Sequence, residues 1–148
     1  MDNTVFKDFR EIRAKINKLM NIIVRDIDSE ETIALKLNKT QIQVIIILKK
    51  NKEIKMSDLT NYTNLSKSSI TSIVDSLEEI NLVNRIRSKS DRRVIIVKLS
   101  DEGDYLADKI RAEIRKAFYE RIEKLDDEET NDLKNSLRIV NKSLDLLE

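Results

Sequence analysis

The 148-residue chain contains neither cysteine nor histidine. Without cysteine it can form no disulfide and no thiolate metal site, and it carries no thiol for redox sensing. Without histidine it lacks the commonest general base and the commonest ligand of transition metals. These absences exclude most familiar catalytic and metal centres, so we predict no catalytic residue and no metal-binding residue.

Proline is also absent, and glycine occurs once. A single glycine excludes the glycine-rich loops that hold phosphates or dinucleotides. A chain with so few helix breakers and 37% charged residues is expected to be mainly helical. Because no enzymatic motif is present, we predict a protein that is not an enzyme and has no cofactor.

No stretch approaches the roughly 20 consecutive apolar residues that cross a membrane. Residues 1–18 are amphipathic and charged, without the apolar centre of a secretory signal. The sequence therefore predicts a cytoplasmic protein with no membrane partner. Its length and its 40% hydrophobic content are sufficient for a real core and one or at most two domains.

Charge is unevenly distributed, although the formal net charge is only +1. Residues 49–99 carry 11 basic and 6 acidic side chains, a net charge of +5. Residues 100–148 carry 9 basic and 14 acidic side chains, a net charge of −5. The basic middle segment is what a phosphate-facing surface needs, and we expect the acidic end to point away from it.

The basic segment contains one recognisable supersecondary unit, residues 65–99. Ser66 is a good helix N-cap, and the apolar residues after it follow helical spacing: Ile70, Ile73, Val74 and Leu77. Asn81 is suited to the left-handed residue that ends a helix. The β-type segments 82–87 and 94–99 follow, separated by the polar loop 88–93. A helix followed by a basic hairpin predicts a winged helix.

Helical patterns precede and follow this unit. Thr40 to Gln43 matches a capping box, so a second helix is predicted to begin at Thr40. Residues 44–48 of this segment have strong β-propensity, so by periodicity alone they could also form a buried strand. The cap before them and the lysines at 49 and 50 favour a fully buried helix. A short third helix should open at Ser57-Asp58 and end near Asn64.

The terminal helices carry narrow apolar seams. The first seam is Val5, Phe9, Ile12, Ile16, Leu19, Ile23 and Ile27, and the last is Leu133, Leu137, Val140, Leu144 and Leu147. A long helix capped by Ser100 lies between the wing and the last helix. Such seams predict a homodimer, and the alternative is that they pack on one another within a monomer.

Several short motifs identify a family resemblance. They are Leu65-Ser66-Lys67-Ser68-Ser69-Ile70-Thr71, Val74-Asp75, Leu77-Glu78, Leu82-Val83-Asn84-Arg85, Asp91-Arg92-Arg93 and Val97-Lys98-Leu99-Ser100-Asp101-Glu102-Gly103. Through them residues 54–103 resemble the MarR (multiple antibiotic resistance regulator) family of bacterial transcription factors, and the order of helices on either side agrees. The resemblance implies one protomer over residues 1–148: a winged helix-turn-helix DNA-binding lobe at 38–99 and a helical dimerisation lobe at 1–37 and 100–148.

The resemblance also implies a function. In that family, dimers bind pseudo-palindromic operators in double-stranded DNA, usually repress transcription, and often release DNA when a small-molecule effector binds. Two departures concern the recognition helix, because Ser72 and Ser76 stand where the family commonly has arginine or lysine. We therefore expect affinity to depend more on Lys67 and on the wing. Asn81 replaces the usual glycine.

The residues assigned to these roles fall into three sets. The recognition-helix set for DNA is Ser66, Lys67, Ser68, Ser69, Thr71 and Ser72. The wing set for DNA is Arg85, Arg87, Lys89, Asp91, Arg92 and Arg93. The dimerisation set is Val5, Phe9, Ile12, Ile16, Leu133, Leu137, Val140 and Leu144. The resemblance implies that Arg93 enters the minor groove and that Asp91 holds it.

Alternative interpretations accompany these assignments. Asp91 and Arg93 could be only a surface ion pair. The acidic cluster 126–129 could suggest a cation site, but it lacks the pattern of an EF-hand and is better explained as a helix cap. The alternative function is a winged-helix interaction module or antirepressor without specific DNA binding. An enzyme is a distant third.

Overall fold

The computed structural model describes residues 3–27, 32, 34–63 and 65–147. In chain order the elements are α1 Thr4–Arg25, α2 Lys39–Asn51, β1 Glu53–Lys55, α3 Leu59–Thr63, α4 Lys67–Glu79, β2 Val83–Arg87, β3 Ile95–Leu99, α5 Asp101–Ile122 and α6 Asp127–Asp145. The predicted mainly helical fold with a β-wing is confirmed. Asn64, where the short third helix was expected to end, lies outside the described residues.

The chain divides into two compact units, Met1–Ile114 and Arg115–Glu148. In the first unit, α2 to β3 and the start of α5 surround one apolar core. Its largest fully buried side chains include Ile45, Leu48, Leu59, Leu77 and Ile110. Each contributes about 1.5–3 kcal/mol when removed from water. The predicted division into a DNA-binding lobe and a dimerisation lobe stays a prediction.

The second helix begins one residue earlier than predicted, and its cap is a different residue. Asn38 adopts extended backbone angles, and its side chain accepts hydrogen bonds from the amides of Thr40 and Gln41, both at 3.0 Å. The Gln41 side chain accepts from the Asn38 amide at 2.8 Å, which completes a capping box. The prediction of Thr40 as the cap was wrong, because an asparagine two residues earlier makes the same type of bond.

Residues 44–48 are helical, so the alternative of a buried strand is excluded. The helix is not fully buried, however. Val44, Ile45 and Leu48 are buried, whereas Ile46 and Ile47 are half-buried on another side of α2. Helical periodicity explains the difference, because a run of five apolar residues covers more than one face of a helix.

The three strands form an antiparallel sheet in the order β1-β3-β2. The prediction of a two-stranded hairpin missed β1, in which Ile54 lies opposite Val97. Three residues are too few to show an alternating pattern, and β1 forms only because β3 offers it a free edge. Leu82 and Val94, predicted as the first residues of the two strands, lie just outside β2 and β3.

Asn81 has a φ angle of 57°, which confirms the predicted left-handed residue after α4. The chain then comes into close contact with the start of α5. The Ser100 hydroxyl donates to the Asn81 carbonyl oxygen at 2.6 Å and accepts from the Gly103 amide at 2.9 Å, so the predicted Ser100 cap is also confirmed. A Cβ on Gly103 would lie 1.9 Å from the Leu82 carbonyl oxygen, and only glycine fits.

Asp126 caps α6 and forms a capping box with Glu129, at 2.8 Å and 3.0 Å. The acidic cluster 126–129 therefore satisfies the first amides of a helix, as the sequence indicated. In the part of the chain that the structure describes, no group of acidic residues is arranged to hold a metal ion. Nor is any helix there both long and apolar enough to span a bilayer.

Candidate nucleic-acid interface

Helix α4 presents a small, hydroxyl-rich surface at its N-terminal end. Ile70, Val74 and Leu77 anchor its inner face in the core. The outer side chains at the same end are exposed: Lys67, Ser68, Ser69 and Ser72. This end of α4 can therefore approach a groove of DNA while the opposite face stays fixed.

The N-cap of α4 is the predicted one, and it joins several hydroxyls. Ser66 Oγ accepts from the Ser69 amide at 3.1 Å and shares hydrogen bonds with Ser68 Oγ at 3.0 Å and Ser69 Oγ at 2.8 Å. Thr71 Oγ1 donates to the Lys67 carbonyl oxygen at 2.9 Å. Four hydroxyls of the recognition set thus already have partners at this end of the helix: Ser66, Ser68, Ser69 and Thr71.

Ser76 lies one helical turn after Ser72 on the same face of α4, where α2 packs against the helix. Its hydroxyl donates to the Ile73 carbonyl oxygen at 2.7 Å and accepts from Gln41 Nε2 in α2 at 2.9 Å. The side chain is half-buried. A position that is commonly basic in the family therefore helps here to join α2 to α4.

Arg85 in β2 contacts α4 at several points. Its guanidinium pairs with the Asp75 carboxylate, lies 3.4 Å from Glu78 Oε2 and donates to the Thr71 carbonyl oxygen at 3.3 Å. Its backbone amide donates to Glu78 Oε1 at 3.2 Å. Only 25% of the side chain is exposed. Arg85 therefore ties the wing to the recognition helix, and a DNA contact by Arg85 stays a prediction.

A signal for this arrangement is present in the sequence. Val83 and Arg85 are two residues apart in β2, and Val83 is buried in the core. Alternation along a strand therefore puts Arg85 on the core side of the sheet. An arginine in that position needs acidic partners, and Asp75 and Glu78 are spaced to lie on one face of the preceding helix.

The wing loop follows β2 and is closed by short hydrogen bonds. The Ser88 amide donates to the Val94 carbonyl oxygen, and the Val94 amide donates to the Asp91 carbonyl oxygen, both at 2.9 Å. Arg87, Lys89, Arg92 and Arg93 are exposed, as predicted for this basic loop. Asp91 is the one acid among residues 87–93, so the net charge of the loop is strongly positive.

Asp91 and Arg93 form a local structure within the wing loop. Asp91 Oδ1 accepts from the Arg93 amide at 2.9 Å and lies 3.3 Å from Arg93 Nε, while Asp91 Oδ2 lies 3.4 Å from Arg93 Nη2. The Arg93 amide, followed by its guanidinium, holds the pKa of Asp91 below its ordinary value. The Arg93 side chain is 92% exposed, so Asp91 sets the direction of the first part of this side chain and leaves the guanidinium open to solvent.

Two contacts fix the scaffold behind this interface. Lys49 Nζ at the end of α2 pairs with Asp104 at 2.8 Å and with Asp108 at 2.9 Å, both in the first turns of α5. These two carboxylates raise the pKa of Lys49. Together with the Ser100 contact to Asn81, they join the start of α5 to α2 and to the residue that follows α4.

The predicted dimerisation residues remain largely uncovered within each unit. In the first unit, the exposed residues of the set are Val5, Phe9, Ile12 and Ile16. In the second unit, Leu137, Val140 and Leu144 are exposed, Leu133 is half-buried, and α6 buries no residue. Two more exposed apolar residues lie off the seam, Ile139 on α6 and Leu146 directly after it.

A cleft of about 470 Å³ lies between α1, α2, α3 and α5 in the first unit. Ile46 and Ile47, the half-buried residues of α2, provide part of its apolar wall. Asn17, Asn21 and Gln43 add amides, and Lys39 adds a positive charge. This combination of apolar walls and a few polar groups is typical of small-molecule sites.

The chain is similar to known transcriptional regulators. The sequence profile of the MarR family matches residues 37–95. HTH-type transcriptional repressor MdtR of Bacillus subtilis is 37% identical over 81 residues, which are 55% of this chain and 52% of that repressor. The chain thus spans about half the length of this relative.

Solved structures extend the similarity in fold to most of the chain. A crystal structure of wild type MarR from E. coli in its apo form has a TM-score of 0.70, with 18% identity over 90% of this chain and 93% of that one. A crystal structure of NadR in complex with 4-hydroxyphenylacetate has a TM-score of 0.61, with 24% identity over 92% of this chain and 91% of that one. Both have the same helix and wing architecture.

Proposed function

We propose that this chain, whose residues 37–95 match the sequence profile of the MarR family, is a regulator of that family and a repressor that binds a pseudo-palindromic operator as a homodimer. The observation that carries the proposal is the junction of α4 and the wing. Arg85 ties the second half of α4 to β2, and β2 ends at the exposed Arg87 and leads directly into a loop with three more exposed basic side chains.

The two parts of this surface fit different features of duplex DNA. A helix fits the major groove, so Ser66, Lys67, Ser68, Ser69, Thr71 and Ser72 face base edges and nearby phosphates. The narrow wing loop lies over the adjacent minor groove, where Arg93 enters and Arg87, Lys89 and Arg92 contact phosphates. Asp91 orients Arg93, and Arg85 acts as a positioning residue for α4.

Dimer formation is supported by the uncovered apolar seams. Exposing an apolar row to water is unfavourable, and α1 exposes such a row: Val5, Phe9, Ile12 and Ile16. The same row on a second copy of the chain can cover it in a symmetric dimer. In this proposal residues 38–99 form the DNA-binding lobe, and 1–37 with 100–148 form the dimerisation lobe. A twofold axis then separates two recognition helices by roughly 34 Å, or one turn of DNA.

The cleft beside α2 supports release by a small-molecule effector. Its apolar wall suits a ring or alkyl group, and Lys39 suits an anionic group. A ligand that prefers one arrangement of α1 and α2 would shift the protein toward that arrangement. A bacterial regulator that binds DNA must be in the cytoplasm, where the DNA is, so we include a cytoplasmic location in this proposal.

A winged-helix interaction module without specific DNA binding is the second candidate. The observation that favours it is the composition of α4, whose only basic residue is Lys67. Such a module would bind any polyanion through the wing and would show no sequence preference.

Gel shift with a DNase footprint on the DNA upstream of its own gene tests the proposal. We expect a protected segment of two symmetric half-sites at nanomolar protein, with competitor DNA present. Retention on heparin is not sufficient, because any basic patch passes that test. If competitor DNA abolishes the binding, the result would favour the interaction module.

A further inference from the structure

Helix α2 lies between the cleft and the recognition helix, and different faces of α2 contact these two neighbours. Residues three or four positions apart on one face line the cleft: Lys39, Ile42, Gln43, Ile46 and Ile47. Gln41 is in the same first turn as Lys39, but its side chain reaches α4. The first turn of α2 therefore contacts both the cleft and the recognition helix.

Both ends of the Gln41 side-chain amide are engaged in hydrogen bonds. Its oxygen accepts from the Asn38 amide at 2.8 Å and closes the capping box, while its nitrogen donates to Ser76 Oγ at 2.9 Å. The Asn38 side chain in turn accepts from the Gln41 backbone amide at 3.0 Å. Because the side-chain amide is a rigid planar group, it cannot turn one end without moving the other. The cap of α2 and the contact to α4 are therefore linked through one side chain.

The second half of α4 is held from two sides. Arg85 pairs with Asp75 on the side of β2, and Ser76 is bonded to Gln41 on the side of α2. The exposed end of α4 at Lys67 lies nine residues earlier, which is roughly 13 Å along the helix axis. A small tilt of α4 at Ser76 is therefore enlarged at the end that we propose enters the major groove.

We propose that Gln41 is a positioning residue that couples the first turn of α2 to the DNA-binding orientation of α4. The inference rests on the proposed DNA-binding function. Ser76 stands at a position that is commonly basic in the family, and here it serves DNA binding through Gln41 instead of through a phosphate. Disturbing the first turn of α2, where Lys39 reaches the cleft, would therefore lower DNA affinity.

A double-mutant cycle on DNA affinity tests this coupling. The probe is a duplex of about 30 base pairs that carries the segment protected in the footprint, titrated by fluorescence anisotropy. Ser76→Ala removes the contact and keeps the capping box, whereas Gln41→Met removes both, and we expect each to weaken binding about fivefold. The double variant should bind no more weakly than Gln41→Met, because both changes break the same contact. If Ser76 contacted DNA directly, the two losses would multiply.

The cap of α2 provides a second test. Asn38→Ala opens the cap three residues before Gln41, and we expect it to weaken binding about threefold in the parent and to have no effect in the Ser76→Ala background. Asn51→Ala is the matched control, because Asn51 Nδ2 donates to the Ile47 carbonyl oxygen at 2.8 Å at the other end of α2. It should lower the urea midpoint to a similar extent and leave DNA affinity unchanged. Circular dichroism confirms that each variant is folded.

Hydrogen exchange measures the same coupling in the protein without DNA. Asn38→Ala should speed amide exchange in α4 about threefold or more, and should have no such effect once Ser76→Ala has removed the contact. If the affinity losses multiply, or if α4 exchanges at the parent's rate in Asn38→Ala, the inference is wrong and the proposed function stands. If no duplex binds in a salt-dependent manner, the proposed function fails, and hydrogen exchange alone decides whether Gln41 couples the cap to α4.

Discussion

The guanidinium of Arg85 in β2 and the carboxylate of Asp75 in α4 form an ion pair that joins the wing to the recognition helix. The pair is half-buried and is reinforced by Glu78 and by the Thr71 carbonyl oxygen. In the proposed function these two elements contact DNA in different grooves and must keep a constant relative orientation, and this contact is well placed to keep it.

Breaking this pair should affect DNA binding more than folding. Because both partners are partly exposed, we expect Arg85→Met to cost about 1 kcal/mol or less of unfolding free energy. Operator affinity should fall about tenfold, since a mispositioned wing loses several contacts together. A double-mutant cycle with Asp75→Asn should show coupling in both quantities. An Arg85→Met variant with normal affinity would remove the positioning role.

Lys89 should behave as a phosphate contact. Lys89→Ala should weaken binding to all duplexes alike and lower the slope of log K against log salt by about 1. The measurement is a salt series of fluorescence anisotropy titrations. Lys134→Ala on the exposed surface of α6 is a matched control that should leave the slope unchanged. Equal slopes for Lys89→Ala and the parent would place Lys89 away from the phosphates.

The seam on α6 should be part of the dimer interface. Leu144→Glu puts an unpaired charge into an apolar interface at a cost of about 3 kcal/mol or more, which weakens the dimer more than 100-fold. Sedimentation velocity at micromolar concentration should then show monomer. Ile139→Glu is the matched control, since Ile139 is 62% exposed and lies off the seam, and it should remain dimeric. A parent protein that sediments as a folded monomer would contradict the prediction.

Gly103 should tolerate no side chain. The Cβ of Gly103→Ala would meet the backbone carbonyl of Leu82, so α5 or the segment after α4 must move. We expect a loss of about 2–3 kcal/mol in unfolding free energy by urea denaturation. Glu102→Ala, at the exposed neighbouring position, should stay within about 0.5 kcal/mol of the parent. If the unfolding free energy of Gly103→Ala also stays within about 0.5 kcal/mol of the parent, the contact between Gly103 and the Leu82 carbonyl can relax.

The pH dependence of the wing should follow Asp91. Its pKa in the folded protein lies below the ordinary value of 3.8, chiefly because the Arg93 amide donates to it. The contact is therefore complete at pH 7 and is lost only as the pH falls below 3.8 through the lowered pKa. The ¹⁵N–¹H signal of Arg93 should shift in that range and should not titrate in Asp91→Asn. A transition near pH 5 would contradict the predicted direction.

Most of the recognition helix and wing could be predicted from the sequence because local rules determine them. Ser66 caps a helix by a bond to an amide three residues later, and Asn81 accepts a left-handed conformation. Ser100 and Asp126 act in the same way at α5 and α6. Each of these features depends on neighbours within a few residues, so each leaves a readable local pattern.

The contacts that hold the site together depend on the tertiary structure. Strand β1 exists because β3 provides an edge for it, and the hydroxyl of Ser76 on the polar face of α4 accepts a hydrogen bond from Gln41 in α2. Alternation along β2 indicates that Arg85 needs acidic partners, but those partners lie 10 and 7 residues earlier in the chain, on a helix that only folding brings beside β2. Burial decides these cases, because a charged or hydrogen-bonding group that loses water must take whatever partner the packing supplies.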